Sequence, residues 1–422
     1  MAHKTQTQHS IFIAAAAMPR REAIHDDASA RSRHGPGHGQ SLGPVTGQPR
    51  SFPAIFGRGG TSNGLVIFSH HLPPATEWSA VLPAAMGSPD AYGRQLDGMG
   101  SGISSTSKIC VLSPTSRPDA DVEFTFVQVG IKDGSLDMAG NCGNMSSIIG
   151  PVSFDEGMAR DPTILAPDSS HSFPTALVRI FNTNTSKIIH SRFRVTGEPP
   201  RFCPRGDYSM DGVPGRHSKI VLSFIRPGGA KTGRTLPTGN AVDTLTLPDG
   251  TTIQASLIDV SNPGVFVRVS DVASESRKSL DPPSVEADPV LKSRLEQIRQ
   301  AGATLMGLDP KTESVPKIVL VFPPSSATPC QTGTRIRCLA LSMGQAHKAV
   351  PLTLALCLGA AARIPGTIPN QLAAGDGKGD IIDIRHPSGS LDVGTIIADG
   401  EIQSAELHRT ARVLMKGEVF YE

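Results

Sequence analysis

The chain has 422 residues, of which 40 are basic and 38 acidic, so its formal net charge at pH 7 is only +2. This balance gives none of the strong positive surface that nucleic acids or anionic membranes attract, and it argues against both as partners. The length suffices for two ordinary domains, and 43 glycines with 35 prolines predict short elements joined by many turns.

Residues 1–49 are rich in His, Arg, Ser, Gly and Pro, a composition that predicts a disordered tail. We expect the protein to be cytoplasmic. A mitochondrial transit peptide is the alternative, because residues 14–21 are rich in alanine and end in two arginines. The acidic residues Glu22, Asp26 and Asp27 count against it.

Short β-type runs, rich in Val, Ile, Thr or Phe and ended by turn residues, fill most of the chain after Phe52. The predicted strands span residues 64–68, 109–112, 122–129, 176–182, 187–195, 219–224, 243–247, 251–260, 264–269, 317–322 and 336–342. The mixture of strands with a few helices predicts an α/β fold.

Three helices are predicted. A short one follows Cys142, and a long one follows the cap Asp288 and runs to about Met306. A third helix is expected from Pro351 to about Ala362. It lies in the most apolar run of the chain, which has about half of the roughly 20 residues that a membrane span requires.

Six cysteines show neither a C-x-x-C pair nor zinc-ligand spacing, which predicts reduced thiols and no metal site. They are Cys110, Cys142, Cys203, Cys330, Cys338 and Cys357.

A lysine and a cysteine stand out among small residues. Lys108 ends the run Ser104-Ser105-Thr106-Ser107, and Cys142 lies between Gly140-Asn141 and Gly143-Asn144. Lysine and cysteine can both carry protons once their pKa values are shifted, and small neighbours leave room for a substrate. The alternative is a surface lysine and a buried thiol without function.

Several further motifs occur in a fixed order with this pair, and together the sequence resembles the PrpF-like family, the 2-methylaconitate cis–trans isomerases and their relatives. The resemblance covers residues 50–422. The motifs are FPAIFGRGGTS from Phe52, GSPD from Gly87, QLDGMG from Gln95, PTGN from Pro237, SNP from Ser261, SMG from Ser342, HPSG from His386 and RTAR from Arg409.

The resemblance implies a diaminopimelate-epimerase-like fold: two pseudo-symmetric domains, each a curved sheet around a central helix, with the active site in the cleft between them. We expect domains at residues 50–196 and 197–403, followed by a strand at 404–422 that returns to the first domain. That strand is placed more narrowly over residues 407–420.

It also implies a cofactor-independent isomerase that moves a proton on an unsaturated tricarboxylic acid of the aconitate or 2-methylaconitate type, through a dienolate. Lys108 and Cys142 match the family's acid/base pair, and the sequence leaves open which of them is the base. The expected small-molecule partner is a di- or tricarboxylate substrate. We also expect the chain to form a homodimer.

Carboxylate contacts are expected from seven further residues, which are Ser62, Asn141, Gly143, Asn144, Ser388, Arg58 and His347. The alternative for Arg58 is a structural ion pair. The alternative for His347 is a helix-capping histidine or one at the edge of the core. Asn63 and Gly57 depart from the lysine and methionine that the family often carries there, which puts the particular acid in doubt.

Three other functions stay open at this point. One is an isomerase or tautomerase of a related keto acid or secondary-metabolite intermediate. The second is a two-base racemase or epimerase, which would need a second thiol at the start of the third helix, whereas Cys357 lies inside it. The third is a non-catalytic binding protein.

Overall fold

The computed structural model describes residues 49–167, 172–273, 280–323, 334–375, 380–398 and 400–421. All but the last residue of the predicted tail lies outside this part, as does Cys330. Within it, no helix is long and apolar enough to cross a membrane.

Strands dominate the described residues. The strands of the first part of the chain are β1 (Ser51–Gly59), β2 (Ser62–Phe68), β3 (Lys108–Ser113), β4 (Val122–Val129), β5 (Leu136–Asp137), β6 (Thr163–Leu165), β7 (Thr175–Asn182), β8 (Lys187–Thr196), β9 (Arg201–Phe202), β10 (Tyr208–Met210), β11 (Val213–His217) and β12 (Ile220–Ile225). Those that follow are β13 (Asp243–Thr246), β14 (Thr252–Val260), β15 (Asn262–Arg268), β16 (Lys317–Phe322), β17 (Thr334–Ser342), β18 (Gln345–Ala346), β19 (Ala374–Gly375), β20 (Ile381–His386), β21 (Gly389–Ala398), β22 (Glu401–Arg409) and β23 (Ala411–Phe420).

The α-helices are α1 (Trp78–Met86), α2 (Gly143–Asp155), α3 (Pro282–Glu286), α4 (Pro289–Leu305), α5 (Leu352–Arg363) and α6 (Ile368–Leu372). The three predicted helices are thus present. Asp288 caps α4 by accepting a hydrogen bond from the Leu291 N–H at 3.0 Å. The helix α1 was not predicted from the sequence.

Helix α2 is the central helix of one part of the fold. Neighbouring strands pair in the order β23-β1-β2-β3-β4-β7-β8, and α2 packs against β1, β2, β7 and β8. Met145, Ile148 and Ile149 are buried in that core. A side chain at Gly150 would collide with Ser191, so glycine lets the helix lie close to β8.

Helix α5 takes the equivalent place in the other part. The strands β14 to β17 pair in sequence, β17 continues to β20, and β20, β21 and β22 pair in turn. Leu354, Leu358 and Ala361 of α5 are buried against this sheet. Cys357 lies in the middle of α5 and is buried, and its thiol donates a hydrogen bond to the Ile258 carbonyl at 3.3 Å. Cys357 therefore serves in packing.

Two pairings join these parts. β12 pairs with both β8 and β22, and β23 pairs with β1 from Ser51 opposite Phe420 to Gly59 opposite Ala411. The single strand predicted over residues 407–420 is two strands, because the chain leaves one ladder at Arg409 and enters another at Ala411. The predicted α/β fold, with curved sheets around two central helices, is confirmed; the domain boundaries stay a prediction.

Candidate active site

The two central helices begin next to each other. The residues before them, Cys142 and Pro351, supply no side-chain cap, so the first backbone N–H groups of α2 and α5 keep their capacity for an anion. A Cβ atom built on Gly143 would lie 2.9 Å from the Cβ of Leu352. Two positive helix ends therefore meet at one place, which suits a substrate with several carboxylates.

Asparagine side chains tie this junction together. The Asn262 amide donates to Thr353 Oγ1 at 2.9 Å and to the Asn141 carbonyl at 3.4 Å, while its oxygen accepts from the Asn141 N–H at 3.4 Å. Asn141 also bonds Ser146 with its own side-chain amide at 3.2 Å. These contacts fix the loop that carries Cys142, so Asn141 acts here as a loop-holding residue.

Lys108 is the first residue of β3 and is almost completely buried. Its Nζ donates to Gln128 Oε1 at 2.6 Å and lies 5.0 Å from the centre of the Phe126 ring. The amide of Gln128 in turn donates to the Ser104 and Ser107 carbonyls at 3.2 and 2.8 Å. The hydroxyl-rich run thus orients the glutamine that holds the ammonium.

Lys317 is a second buried lysine, and sequence reasoning missed it. It begins β16, donates from Nζ to the Ser314 carbonyl at 2.5 Å, and forms no ion pair within the described residues. Burial lowers the pKa of Lys317 to about 8; the Asp137 carboxylate opposes this and the Lys108 ammonium adds to it. The available signal was a lysine at the head of five consecutive apolar residues.

Lys108 and Cys142 act on the same neighbours. Lys108 lowers the pKa of Lys317 further, whereas Cys142 opposes the lowering. Both also act on Cys110, where burial raises the pKa of the thiol well above its usual range, Cys142 adds to the rise and Lys108 opposes it. The two predicted proton carriers therefore lie around one common region with Lys317.

The buried Lys317 ammonium should make stability depend on pH. Between pH 8 and 10.5 the folded chain loses this proton while the unfolded chain keeps it, so stability should rise with pH by about 3 kcal/mol relative to Lys317→Met. Urea unfolding of both proteins from pH 7 to 10.5 measures the difference. Parallel curves would contradict it.

The β1–β2 turn rests on the start of α2. The Asn144 amide donates to Thr61 Oγ1 at 3.0 Å, and its oxygen accepts from the Thr61 N–H at 3.2 Å. Gly60 adopts φ +55°, and any side chain there would strike Asn144. The side chain of Asn144 is thus occupied in holding the turn, and Ser62, the first residue of β2, is buried.

Arg58 also holds this turn. Its Nη1 donates to the carbonyls of Gly60 and Thr410 at 2.8 and 3.1 Å, and burial, with Arg412 nearby, lowers its pKa. It forms no ion pair within the described residues. Because the flanking glycines of β1 face α2, Arg58 lies on the opposite side of that strand. Its pairing with a substrate carboxylate stays a prediction.

His347 and the Ser388 turn lie side by side. The Ser388 N–H donates to the Lys348 carbonyl at 2.9 Å, and the Ser388 hydroxyl lies 3.3 Å from His386 Nδ1. His347 is exposed at the surface, but partial desolvation of its ring lowers its pKa; the hydrogen bond with Ala349 opposes this, and the charges of Lys108 and His386 add to it. His347 is therefore near Lys108, and its surroundings favour the neutral imidazole over the charged form.

Among the residues that the structure describes, no group of three or more His, Cys, Asp or Glu side chains could hold a metal ion. The described cysteines are all free thiols. The donors at the junction are instead ammonium groups, hydroxyls and helix N–H groups, all of which suit carboxylates.

Comparison with known proteins identifies the family. The family model described as PrpF protein matches residues 50–422. The chain is 36% identical to a 3-methylitaconate isomerase of Eubacterium barkeri, covering 88% of this chain and 97% of that protein. It is also 36% identical to a 2-methyl-aconitate isomerase of Cupriavidus necator, with 86% and 96% covered.

A (4E)-oxalomesaconate Delta-isomerase of Novosphingobium sp. (strain KA1) is 35% identical, with 88% of this chain and 97% of that protein covered. The crystal structure of a methylitaconate-delta-isomerase superposes with a TM-score of 0.70 at 34% identity, covering 88% of this chain and 96% of that one. The enzyme class predicted from the sequence, an isomerase, is confirmed, and the chain belongs to the PrpF protein family.

Proposed function

We propose that this chain isomerises an unsaturated di- or tricarboxylic acid by moving a proton, with Lys108 and Cys142 as the acid/base pair. The observation that carries the proposal is the meeting of two uncapped helix N-termini with two buried lysines around Cys142. The relatives named above act on methylitaconate, methylaconitate and oxalomesaconate, which share a C–H bond next to a carboxylate and a double bond.

In this mechanism a base removes that proton and the electron pair spreads into a dienolate, whose charge rests on carboxylate oxygens. An acid then returns a proton either to the original carbon after rotation about the former double bond, which gives the geometric isomer, or to the far end of the three-carbon allylic unit, which shifts the double bond. The Lys317 ammonium, with donors left after its bond to Ser314, would stabilise the developing oxyanion. The helix N–H groups would hold the remaining carboxylates.

The reaction as proposed needs no metal or redox cofactor and no partner beyond the acid; the homodimer and the cytoplasmic location remain proposals. A two-base racemase is disfavoured, because Cys357 is sealed in the interior of α5. A keto-acid tautomerase would use the same groups on a different substrate, and the assay below includes such an acid.

The direct test is proton NMR in D₂O. Purified protein is incubated with cis- and trans-aconitate, 2-methylaconitate, 3-methylitaconate and an oxalomesaconate-type keto acid, and isomerisation and deuterium uptake are followed. We expect both for at least one acid, unchanged after EDTA treatment. Loss of activity with EDTA that a divalent ion restores would contradict the cofactor-free mechanism, and no exchange with any acid would contradict the isomerase proposal for this panel.

A further inference from the structure

Arg409 is a buried cation that no carboxylate of the described residues neutralises. Its side chain is 4% exposed, its Nη1 donates to the carbonyl of the adjacent His408 at 2.7 Å, and its Nε has no hydrogen-bond partner. Burial lowers its pKa to about 10, partly opposed by Tyr208, so the guanidinium remains charged at pH 7. An unpaired buried charge destabilises a fold, so it calls for a ligand.

The position of Arg409 links it to the start of α2. It shares the buried face of β22 with Leu407, and a Cβ built on Gly143 would lie 3.6 Å from Leu407 Cδ1. The next residue, Thr410, accepts a hydrogen bond from the Gly60 N–H at 2.9 Å, in the turn that rests on α2. Arg409 therefore lies between two segments that contact the helix N-terminus.

Two histidines link Arg409 electrostatically to the lysines. Burial lowers the pKa of His386; the Asp211 carboxylate and a backbone hydrogen bond of Lys348 oppose this, and the Arg409 charge adds to it. His386 in turn acts on His347, which also responds to Lys108 and Lys317. Arg409, the two histidines and the lysines are therefore close enough to act on one another electrostatically.

We propose that Arg409 binds a substrate carboxylate remote from the proton-transfer centre, which extends the proposed function and rests on it. The planar guanidinium can grip a carboxylate with two parallel hydrogen bonds, and the unpartnered Nε supplies one of them. Lys317 and the helix ends would bind the other carboxylates. The substrate class that fits is a tricarboxylate, since three separate groups of donors are available.

The test uses a saturated tricarboxylate that cannot isomerise, propane-1,2,3-tricarboxylate. Its dissociation constant is measured by titration calorimetry for the wild type, Arg409→Gln and Arg409→Lys, and for Arg234→Gln, which removes an exposed arginine of equal charge. We expect Arg409→Gln to weaken binding about tenfold or more, Arg409→Lys to weaken it less, and Arg234→Gln to match the wild type.

A second measurement separates ligand binding from a structural role. Without ligand, Arg409→Gln should melt at or above the wild-type temperature, because it removes an unpaired buried charge. On the acid found in the NMR assay it should raise KM more than it lowers kcat, because the carboxylate contact exists in both ground state and transition state.

Binding within threefold of the wild type, or a lower melting temperature of both Arg409 variants without ligand, would overturn the inference. If the wild type isomerises an acid and the Arg409→Gln variant binds the tricarboxylate equally well, this inference alone is overturned. Arg409-dependent binding without isomerisation of any acid overturns the proposed function and leaves the binding site standing. A wild type that binds no tricarboxylate overturns the inference.

Discussion

Replacing Lys108 or Cys142 by alanine is expected to lower kcat by about 10²-fold or more, the scale that general acids and bases contribute. Each variant removes one of the two proposed proton carriers, so abstraction or reprotonation would have to use water. Steady-state rates on the acid identified by NMR give the measurement. Deuterium exchange on the same acid shows which half of the reaction each variant has lost.

Two control variants match these substitutions. Cys203→Ala removes another partly buried free thiol, and Lys132→Ala another ammonium, from outside the site. Both should keep wild-type kcat. Near-wild-type kcat in Cys142→Ala would show that this thiol is a packing residue. The second acid/base group beside Lys108 would then have to be a different side chain.

Gly143→Ala should have the second largest effect, because it acts on both helix ends at once. The added methyl would lie 2.9 Å from the Cβ of Leu352, an atom that cannot rotate away, so α2 and α5 would have to separate. Overpacking of this kind costs about 1–3 kcal/mol of unfolding free energy. Misplacing the carboxylate donors by about 1 Å should lower kcat by about 10²-fold.

Urea unfolding and steady-state rates measure both effects of Gly143→Ala. The matched control is Gly417→Ala in β23, because a Cβ built there meets no described atom within 4 Å. Its stability and kcat should stay close to wild type. If Gly143→Ala behaves like this control, the close approach of the two helices has no part in binding or catalysis.

The fold was largely accessible from the sequence where local signals were strong. The runs of α4 and α5 carry an aspartate or proline at their start and apolar residues at helical spacing, and both helices formed as predicted. Helix α1 was missed because Pro83 lies inside it and argues against a helix. The break at Thr410 was missed because no glycine or proline marks it in the sequence.

The candidate site was harder to predict from the sequence, because its charged residues come from distant parts of the chain. Lys108 and Cys142 stand in recognisable small-residue motifs, which is why the sequence indicated them. Lys317 begins a buried strand and Arg409 ends another, so each resembles an ordinary boundary residue. Only the packing shows that neither has an acidic partner within the described residues.

The pairing of β1 with β23 affects how the chain folds during its synthesis. Ser51 pairs with Phe420, so one edge of β1 stays uncovered until β23 (Ala411–Phe420) has been synthesised. Contacts of such sequence separation are slow to form, because a very long loop has to close. During translation β1 therefore exposes an unpaired edge, and a variant that lacks β23 would leave that edge open to self-association.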